Sequence, residues 1–306
     1  MSRGYYKGVR GSGLKVEVEC AACIFHRGYL EIIEATNDPS VQFKAISAFT
    51  RLLAKGFEPS RVPAFLGTER DRLIKRLTGN PDPYAKEKLL SNQGALEILP
   101  LAKKLVSTQS CAESRFRKAC LSSIVGNIIE FGIPDHVFRF QDIKKLILRA
   151  EEDLAIDEIP KIFGTAKKAK RVLYLTDNAG EIAFDTLLVH ELKKLGARVT
   201  VAVKDKPISN DATLEDAKFV GIHEVADNTI TTGTDAIGLI PDECSGEFLT
   251  LYSSADLVVA KGMGHAETLT ELNLTSPHAL LMRTKCNPVA NFFNVSRGKN
   301  VAKLMF

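Results

Sequence analysis

The C-terminal half of the chain alternates short apolar runs with helical segments, and no other feature of the sequence limits the possible folds as strongly. The runs cover residues 171–175, 199–203, 257–260 and 279–282 and are rich in Val, Leu and Ala. Strands that alternate with helices in this way form a mostly parallel sheet with helices packed on it. We therefore predict an α/β fold for this half.

One strand-helix-strand unit is legible between the first two runs. Residues 182–195 place apolar side chains at helical spacing, and Gly196 follows where a helix should end. The whole unit takes about 35 residues, the length of one right-handed crossover. Further along, the segment 231–243 has a less regular pattern, and we expect it to form a surface insertion.

The N-terminal half has a different pattern. Over residues 31–153 the apolar residues recur at helical spacing, with charged residues between them. A chain of 306 residues exceeds the size at which one hydrophobic core usually keeps growing. We predict a helical lobe over residues 1–165 and an α/β domain over residues 166–306.

Charge and composition exclude several classes of function. The chain has 41 Lys and Arg against 37 Asp and Glu, a net charge of +4, and no long basic run of the kind that binds nucleic acid. It lacks the roughly 20 consecutive apolar residues of a membrane span and the apolar segment of a signal peptide. Its six scattered cysteines favour a reducing compartment. We expect a cytoplasmic protein that binds neither nucleic acid nor membranes.

Polar loops follow all four predicted strands, over residues 176–181, 204–211, 261–267 and 283–288. In an open parallel sheet, ligands bind beyond the carboxyl ends of the strands, because loops and helix N-termini converge there. Asp177, Asn178 and Asp211 supply carboxylate and amide oxygens, which Mg²⁺, Ca²⁺ and Mn²⁺ prefer as ligands. The pattern predicts a metal-assisted hydrolase site.

The third and fourth loops could bind phosphate. Gly262 and Gly264 would let backbone N–H groups approach an anion at the start of a helix, and Lys285 or Lys261 could neutralise its charge. Each feature also has a simple structural explanation. Asp and Asn residues after a strand often only cap the next helix, and glycines in such turns often serve geometry alone.

Two motifs in the helical half are less specific. Cys20 and Cys23 form a CxxC with metal-like or redox-like spacing, but two packed thiols would give the same pattern. Asn127 and Glu130 share a helix face, which would either present an amide and a carboxylate to the sheet edge or simply be solvated.

Together these residues resemble the damage-control metal-dependent phosphatases. The matching segments are Asp177-Asn178-Ala179-Gly180-Glu181, Asn210-Asp211-Ala212-Thr213, 261–268 and 285–290, with 126–132 similar to the family's Asn-x-x-Asp helix. The CxxC is similar to that of the stand-alone microbial branch. Three positions depart from the family pattern, namely Met263 and His265 in the glycine turn and Glu130 where Asp is commoner.

The resemblance implies a helical N-terminal lobe packed on a three-layer α/β/α sandwich. It implies a divalent cation (Mn²⁺, Co²⁺, Ni²⁺ or Mg²⁺) held at Asp177, Asn178 and Asp211, and a phosphate-binding role for Lys285. It also implies hydrolysis of phosphate esters of small metabolites, including sugar phosphates and damaged phosphometabolites. The remaining candidate substrate-binding residues are Asn127, Glu130, Lys261, Gly262, Gly264 and His265.

The leading hypothesis is therefore metal-dependent phosphomonoester hydrolysis by water, with the phosphorylated metabolite as partner. Asp177 could in principle attack directly, and Glu181, Glu130 or Asp205 could act as general base. A methyl or phosphoryl transferase and a non-catalytic phosphometabolite-binding module are the alternatives. The preferred metal, the physiological substrate and the oligomeric state are left open by the sequence.

Overall fold

The structure is a computed structural model, and it describes residues 5–7, 13–126 and 145–306. The predicted substrate-binding residues Asn127 and Glu130 lie outside these ranges. No helix in the described part of the chain is both long enough and apolar enough to cross a membrane.

The described elements follow one another in the order helices first, then alternating strands and helices. The helices are α1 (Val18–Ala35), α2 (Pro39–Gly56), α3 (Pro63–Thr78), α4 (Ala85–Ser107), α5 (Ala112–Gly126), α6 (Ile159–Ala166), α7 (Glu181–Lys194), α8 (Leu214–Phe219), α9 (Ile222–Val225), α10 (Gly246–Ser254), α11 (Gly262–Leu269) and α12 (Asn287–Phe292). The strands are β1 (Leu154–Asp157), β2 (Arg171–Leu175), β3 (Arg198–Val203), β4 (Asn228–Thr231), β5 (Leu257–Lys261), β6 (His278–Arg283) and β7 (Asn300–Met305).

The strands form one sheet in the order β1-β7-β6-β5-β2-β3-β4. The pairs from β6 to β4 are all parallel, whereas β7 runs antiparallel to β6 and parallel to β1. The predicted mostly parallel sheet is confirmed. Strands β2 and β3 are neighbours, so their carboxyl ends lie side by side at one edge of the sheet.

Alternate residues of β2 face two different layers, as the two-residue period of a strand requires. Val172 and Tyr174 belong to a core that includes residues of α5 and α7. Leu173 and Leu175 belong to a core on the other face, with Phe248 among its members. Helices therefore cover both faces of the sheet, and the predicted three-layer sandwich is confirmed.

Sequence patterns did not reveal three strands, β1, β4 and β7, each four to six residues long. The expectation of a surface insertion over residues 231–243 is wrong, because Ala236 is fully buried and Leu239 nearly so. The division at residue 165 stays a prediction, although β1 precedes that point and pairs with β7.

Candidate active site

Main-chain hydrogen bonds join the loops that follow β2 and β3. The Ala179 N–H donates to the Asn210 carbonyl at 2.9 Å, and the Ala212 N–H donates to the Asp177 carbonyl at 2.7 Å. Between them, Asn178 and Asp211 form an isolated antiparallel bridge. The three predicted metal ligands are thereby held on one small, doubly anchored piece of backbone.

Side-chain hydrogen bonds orient the Asn178 amide. Its Nδ2 donates to Asp177 Oδ2 at 2.9 Å and to Glu181 Oε2 at 3.1 Å. An amide held through its nitrogen keeps its oxygen as an acceptor, which is the atom a hard cation would bind. Asp211 Oδ2 lies 3.6 Å from the Lys204 ammonium, which also donates to the Gly238 carbonyl at 2.7 Å.

None of these three side chains caps the helix that follows. Gly180 occupies the N-cap position of α7 without a side-chain hydrogen bond. Thr213 caps α8 through a capping box with Asp216. The simple capping explanation therefore does not account for Asp177 or Asp211.

Asp177, Asn178 and Asp211 all line one cavity of about 100 Å³ between the sheet edge and the helical lobe. Other residues of its wall are Cys23, Ile24, Arg27, Pro63, Ala64, Gly67, Arg70, Ser209, Ile237, Met263, Gly264 and Glu267. Predicted loops and helices of the N-terminal lobe thus meet at this point.

The donor set fits a hard divalent cation. Carboxylate and amide oxygens on adjoining loops are the ligands that Mg²⁺ and Mn²⁺ take, with water or substrate completing the coordination. Among the described residues, no cluster of three or more His, Cys, Asp or Glu side chains is arranged to hold a metal ion. The predicted set has a different composition, with two carboxylates and one amide.

The glycines of the third loop have a geometric role. Gly262 has φ of +78°, and a Cβ at this position would overlap the Asp177 carboxylate. Gly264 lines the cavity and lies against Ile237, where a Cβ would come within 2.9 Å of Ile237 Cγ2. Glycine at position 262 is therefore what allows Asp177 to occupy its place at the start of α11.

Lys261 lies beneath the site rather than in it. The side chain is fully buried and donates to Glu181 Oε1, to Asp185 Oδ1 at 2.9 Å and to the Ser123 carbonyl at 3.1 Å. Burial alone would lower the pKa of Lys261, but the attraction of Asp185 and Glu181 raises it above its ordinary value. This placement does not fit the predicted contact between Lys261 and a phosphate.

Glu181 is buried with Lys261 and has both carboxylate oxygens engaged. Oε1 accepts from Lys261, and Oε2 accepts from the Asn178 side chain. A carboxylate held in this way orients its partners, and the arrangement does not fit the predicted role of general base.

Two further candidates do not reach the cavity. Burial lowers the pKa of His265 to about 3, and its Nδ1 is 2.7 Å from the Lys261 carbonyl. Lys285 is 3% exposed, and its backbone N–H contacts Met263 Sδ at 3.3 Å. Neither residue belongs to the described lining of the cavity, so the structure does not bring them together with Asp177.

The CxxC lies beside the cavity on α1. Burial raises the pKa of Cys20 to about 11 and that of Cys286 to about 12, so both thiols stay protonated at neutral pH. Cys20, Cys23 and Cys286 line a neighbouring cavity of about 80 Å³. This environment favours packed thiols over a ligand pair.

Comparison with known families identifies the chain. The sequence profile of the damage-control phosphatase ARMT1-like domain matches residues 16–301. The chain belongs to the damage-control phosphatase family. This membership confirms the resemblance seen in the sequence and places the chain among phosphatases.

Similar proteins occur in several archaea. The chain is 36% identical to a damage-control phosphatase of Archaeoglobus fulgidus, over 95% of this chain and 100% of that protein. It is 40% identical to an uncharacterized protein of Methanocaldococcus jannaschii, over 95% of this chain and 96% of that protein. A crystal structure of a DUF89 family protein from Pyrococcus horikoshii has a TM-score of 0.82 at 32% identity, and covers 94% of this chain and 98% of that chain.

Sequence reasoning missed the contribution of the helical lobe to this damage-control phosphatase site. Arg27 on α1 and Arg70 on α3 line the cavity, and neither has a motif of its own. For Arg27, the available signal was its position one helical turn after Cys23. For Ser209, it was its place directly before Asn210 and Asp211.

Proposed function

We propose that this chain is a divalent-metal-dependent phosphatase that hydrolyses phosphomonoesters of small metabolites, either sugar phosphates or damaged phosphometabolites. The observation that carries the proposal is the convergence of Asp177, Asn178 and Asp211 on one cavity at the carboxyl edge of the sheet. Family membership supports the hydrolysis of a phosphate ester at that place.

Asp177, Asn178 and Asp211 would hold the cation, with Mn²⁺, Ni²⁺, Co²⁺ or Mg²⁺ as candidates. A bound divalent cation polarises a phosphoryl oxygen and lowers the pKa of water. Glu181 keeps the Asn178 amide in a fixed orientation, and Gly262 leaves room for the Asp177 carboxylate. These residues contribute preorganisation, which needs no rearrangement when charge develops at the phosphoryl group.

The surroundings of the site favour a small substrate in the cytoplasm. A cavity of about 100 Å³ between two lobes admits a phosphoryl group and its immediate neighbours, but not a polymer. All six cysteines are free thiols, which is typical of proteins in a reducing compartment.

The test is a panel of sugar phosphates and nucleotides offered to metal-stripped protein, with each cation restored in turn. We expect phosphate release only after a cation is added, without any acceptor molecule. Asp177→Asn and Asp211→Asn should each lower cation affinity and turnover at least tenfold, because a ligand charge is lost.

Asp242→Asn is the matched control, since Asp242 is an exposed aspartate outside the cavity. Its kinetics should equal those of the unmodified protein. Full turnover in both site variants would contradict the proposal, and ligand binding without turnover would indicate a binding module instead.

A further inference from the structure

Two arginines from different helices line the same cavity as the candidate metal ligands. Arg27 comes from α1 and Arg70 from α3, whereas Asp177, Asn178 and Asp211 come from the sheet edge. The cavity therefore has an acidic part built by the α/β layers and a basic part built by the helical lobe.

Arg70 has an unsatisfied donor in this cavity wall. The residue is 2% exposed, and its Nε donates to Glu31 Oε2 at 3.0 Å. Its Nη2 is buried and has no hydrogen-bond acceptor among residues 5–7, 13–126 and 145–306. A buried guanidinium donor without an acceptor is costly, and a bound anion would satisfy it.

Arg27 is held beside the second metal-ligand loop. Its Nη2 donates to Ser209 Oγ at 3.0 Å, two residues before Asp211. Ser209 has φ of +47° and its N–H donates to Asp71 Oδ2 at 2.7 Å, so its position is determined by α3. These contacts keep the half-buried guanidinium of Arg27 close to the candidate cation.

Guanidinium groups match tetrahedral oxyanions, because their planar N–H donors can bind two phosphate oxygens at once. The space of about 100 Å³ suits one such group next to a cation. Glu267 and the two aspartates in the wall would repel an anion that arrived without a counter-charge elsewhere. The arginines supply that counter-charge.

We propose that Arg27 and Arg70 bind the phosphate group of the substrate, so that the helical lobe supplies the anion-binding half of the site. The proposal rests on the proposed function for the identity of the ester. Inorganic phosphate, the product of hydrolysis, has the same tetrahedral oxyanion and should bind at the same place.

The experiment measures binding of inorganic phosphate to the Mn²⁺-loaded protein by titration calorimetry, together with Mn²⁺ binding and the KM for a phosphomonoester. Arg27→Gln should weaken phosphate binding and raise KM roughly ten- to hundredfold, the range expected for lost charged hydrogen bonds. Mn²⁺ affinity should stay within about twofold. Arg70→Lys, which keeps the charge but loses the fork, should weaken phosphate binding with a smaller rise in KM.

Arg76→Gln is the control, because Arg76 is exposed on the same helix as Arg70 and does not line the cavity. Unchanged phosphate affinity in Arg27→Gln, or no phosphate binding to the unmodified Mn²⁺-loaded protein, would overturn the inference. Phosphate binding that depends on Arg27 without turnover of any ester would refute the proposed function and leave the anion site standing.

Discussion

At the scale of single residues, Gly262 is the position where the backbone and a candidate ligand compete most directly for space. Its φ of +78° disfavours any side chain, and a Cβ would overlap the Asp177 carboxylate. Gly79, at the end of α3, has a similar φ of +74° but nothing within 4 Å of a Cβ. The pair separates backbone strain from displacement of Asp177.

Gly262→Ala should lower Mn²⁺ affinity and turnover at least tenfold, because Asp177 must move. The positive φ alone costs about 1–2 kcal/mol of folding free energy. Gly79→Ala should show only that stability cost and normal activity. Calorimetric Mn²⁺ titration and urea unfolding of both variants provide the comparison, and equal Mn²⁺ affinities would refute this role of Gly262.

His278 makes the stability of the protein depend on pH. Burial lowers its pKa from 6.5 to about 4, and its Nε2 lies 2.9 Å from the Tyr252 hydroxyl. The folded state keeps this imidazole neutral, whereas the unfolded chain takes up a proton as the pH falls below 6.5. Stability is therefore lost as the pH falls from 6.5 towards 4.

His278→Gln should reduce this pH dependence by about one proton, or about 1.4 kcal/mol per pH unit at most. The difference in unfolding free energy between variant and unmodified protein, measured in urea at pH 7, 6 and 5, should shrink as the pH falls. Since His265 also has a lowered pKa, part of the acid sensitivity should remain. A difference that is constant with pH would rule out titration of His278.

At the scale of secondary-structure elements, the buried charges around Lys261 join three of them. Lys261 ends β5, Glu181 and Asp185 lie on α7, and the Ser123 carbonyl belongs to α5. Asp185 also accepts hydrogen bonds from the Tyr174 and Ser123 hydroxyls, each at 2.7 Å. The network sets the position of α7 relative to the sheet.

Lys261→Met should destabilise the protein by about 3–5 kcal/mol, because two buried carboxylates lose their cation. Lys161→Met is the control. The Lys161 side chain is 68% exposed and pairs only with Glu158 among its described partners, so its loss should cost less than about 1 kcal/mol. Urea unfolding of both variants measures the difference, and similar costs would show that the buried network does not stabilise the fold.

At the scale of the whole molecule, Asp71 connects the helical lobe to the metal-ligand loop. Its Oδ2 accepts from the Ser209 N–H at 2.7 Å, and its Oδ1 lies 3.1 Å from the Lys75 ammonium. Lys75 in turn contacts Asp235 at 3.1 Å, on the segment expected from sequence to be a surface insertion. This lobe therefore supports the backbone that carries Asp211.

Asp71→Ala should cost about 1–3 kcal/mol, since the buried Ser209 N–H loses its acceptor. It should also weaken Mn²⁺ binding, because Ser209 lies two residues before Asp211. Asp71→Asn keeps an acceptor oxygen and should recover most of the Mn²⁺ affinity. If Asp71→Ala binds Mn²⁺ as tightly as the unmodified protein, the lobe does not position the loop.

The sequence by itself determined the elements whose pattern is local. The β2-α7-β3 unit follows from apolar spacing and Gly196, and Asp177, Asn178 and Asp211 follow from what comes after each strand. Both inferences depend on residues near one another in the chain and on the rule that parallel strands present their carboxyl ends at one edge.

Only the tertiary structure decided which candidates share the cavity. Lys261 follows its strand as predicted, yet packing places it beneath the site with Glu181, while Arg27 and Arg70 enter from helices more than 100 residues away in the chain. The burial of a charge depends on contacts between distant segments, and no spacing along the chain encodes them. For that reason the acidic half of the site was predictable, whereas the basic half was found only in three dimensions.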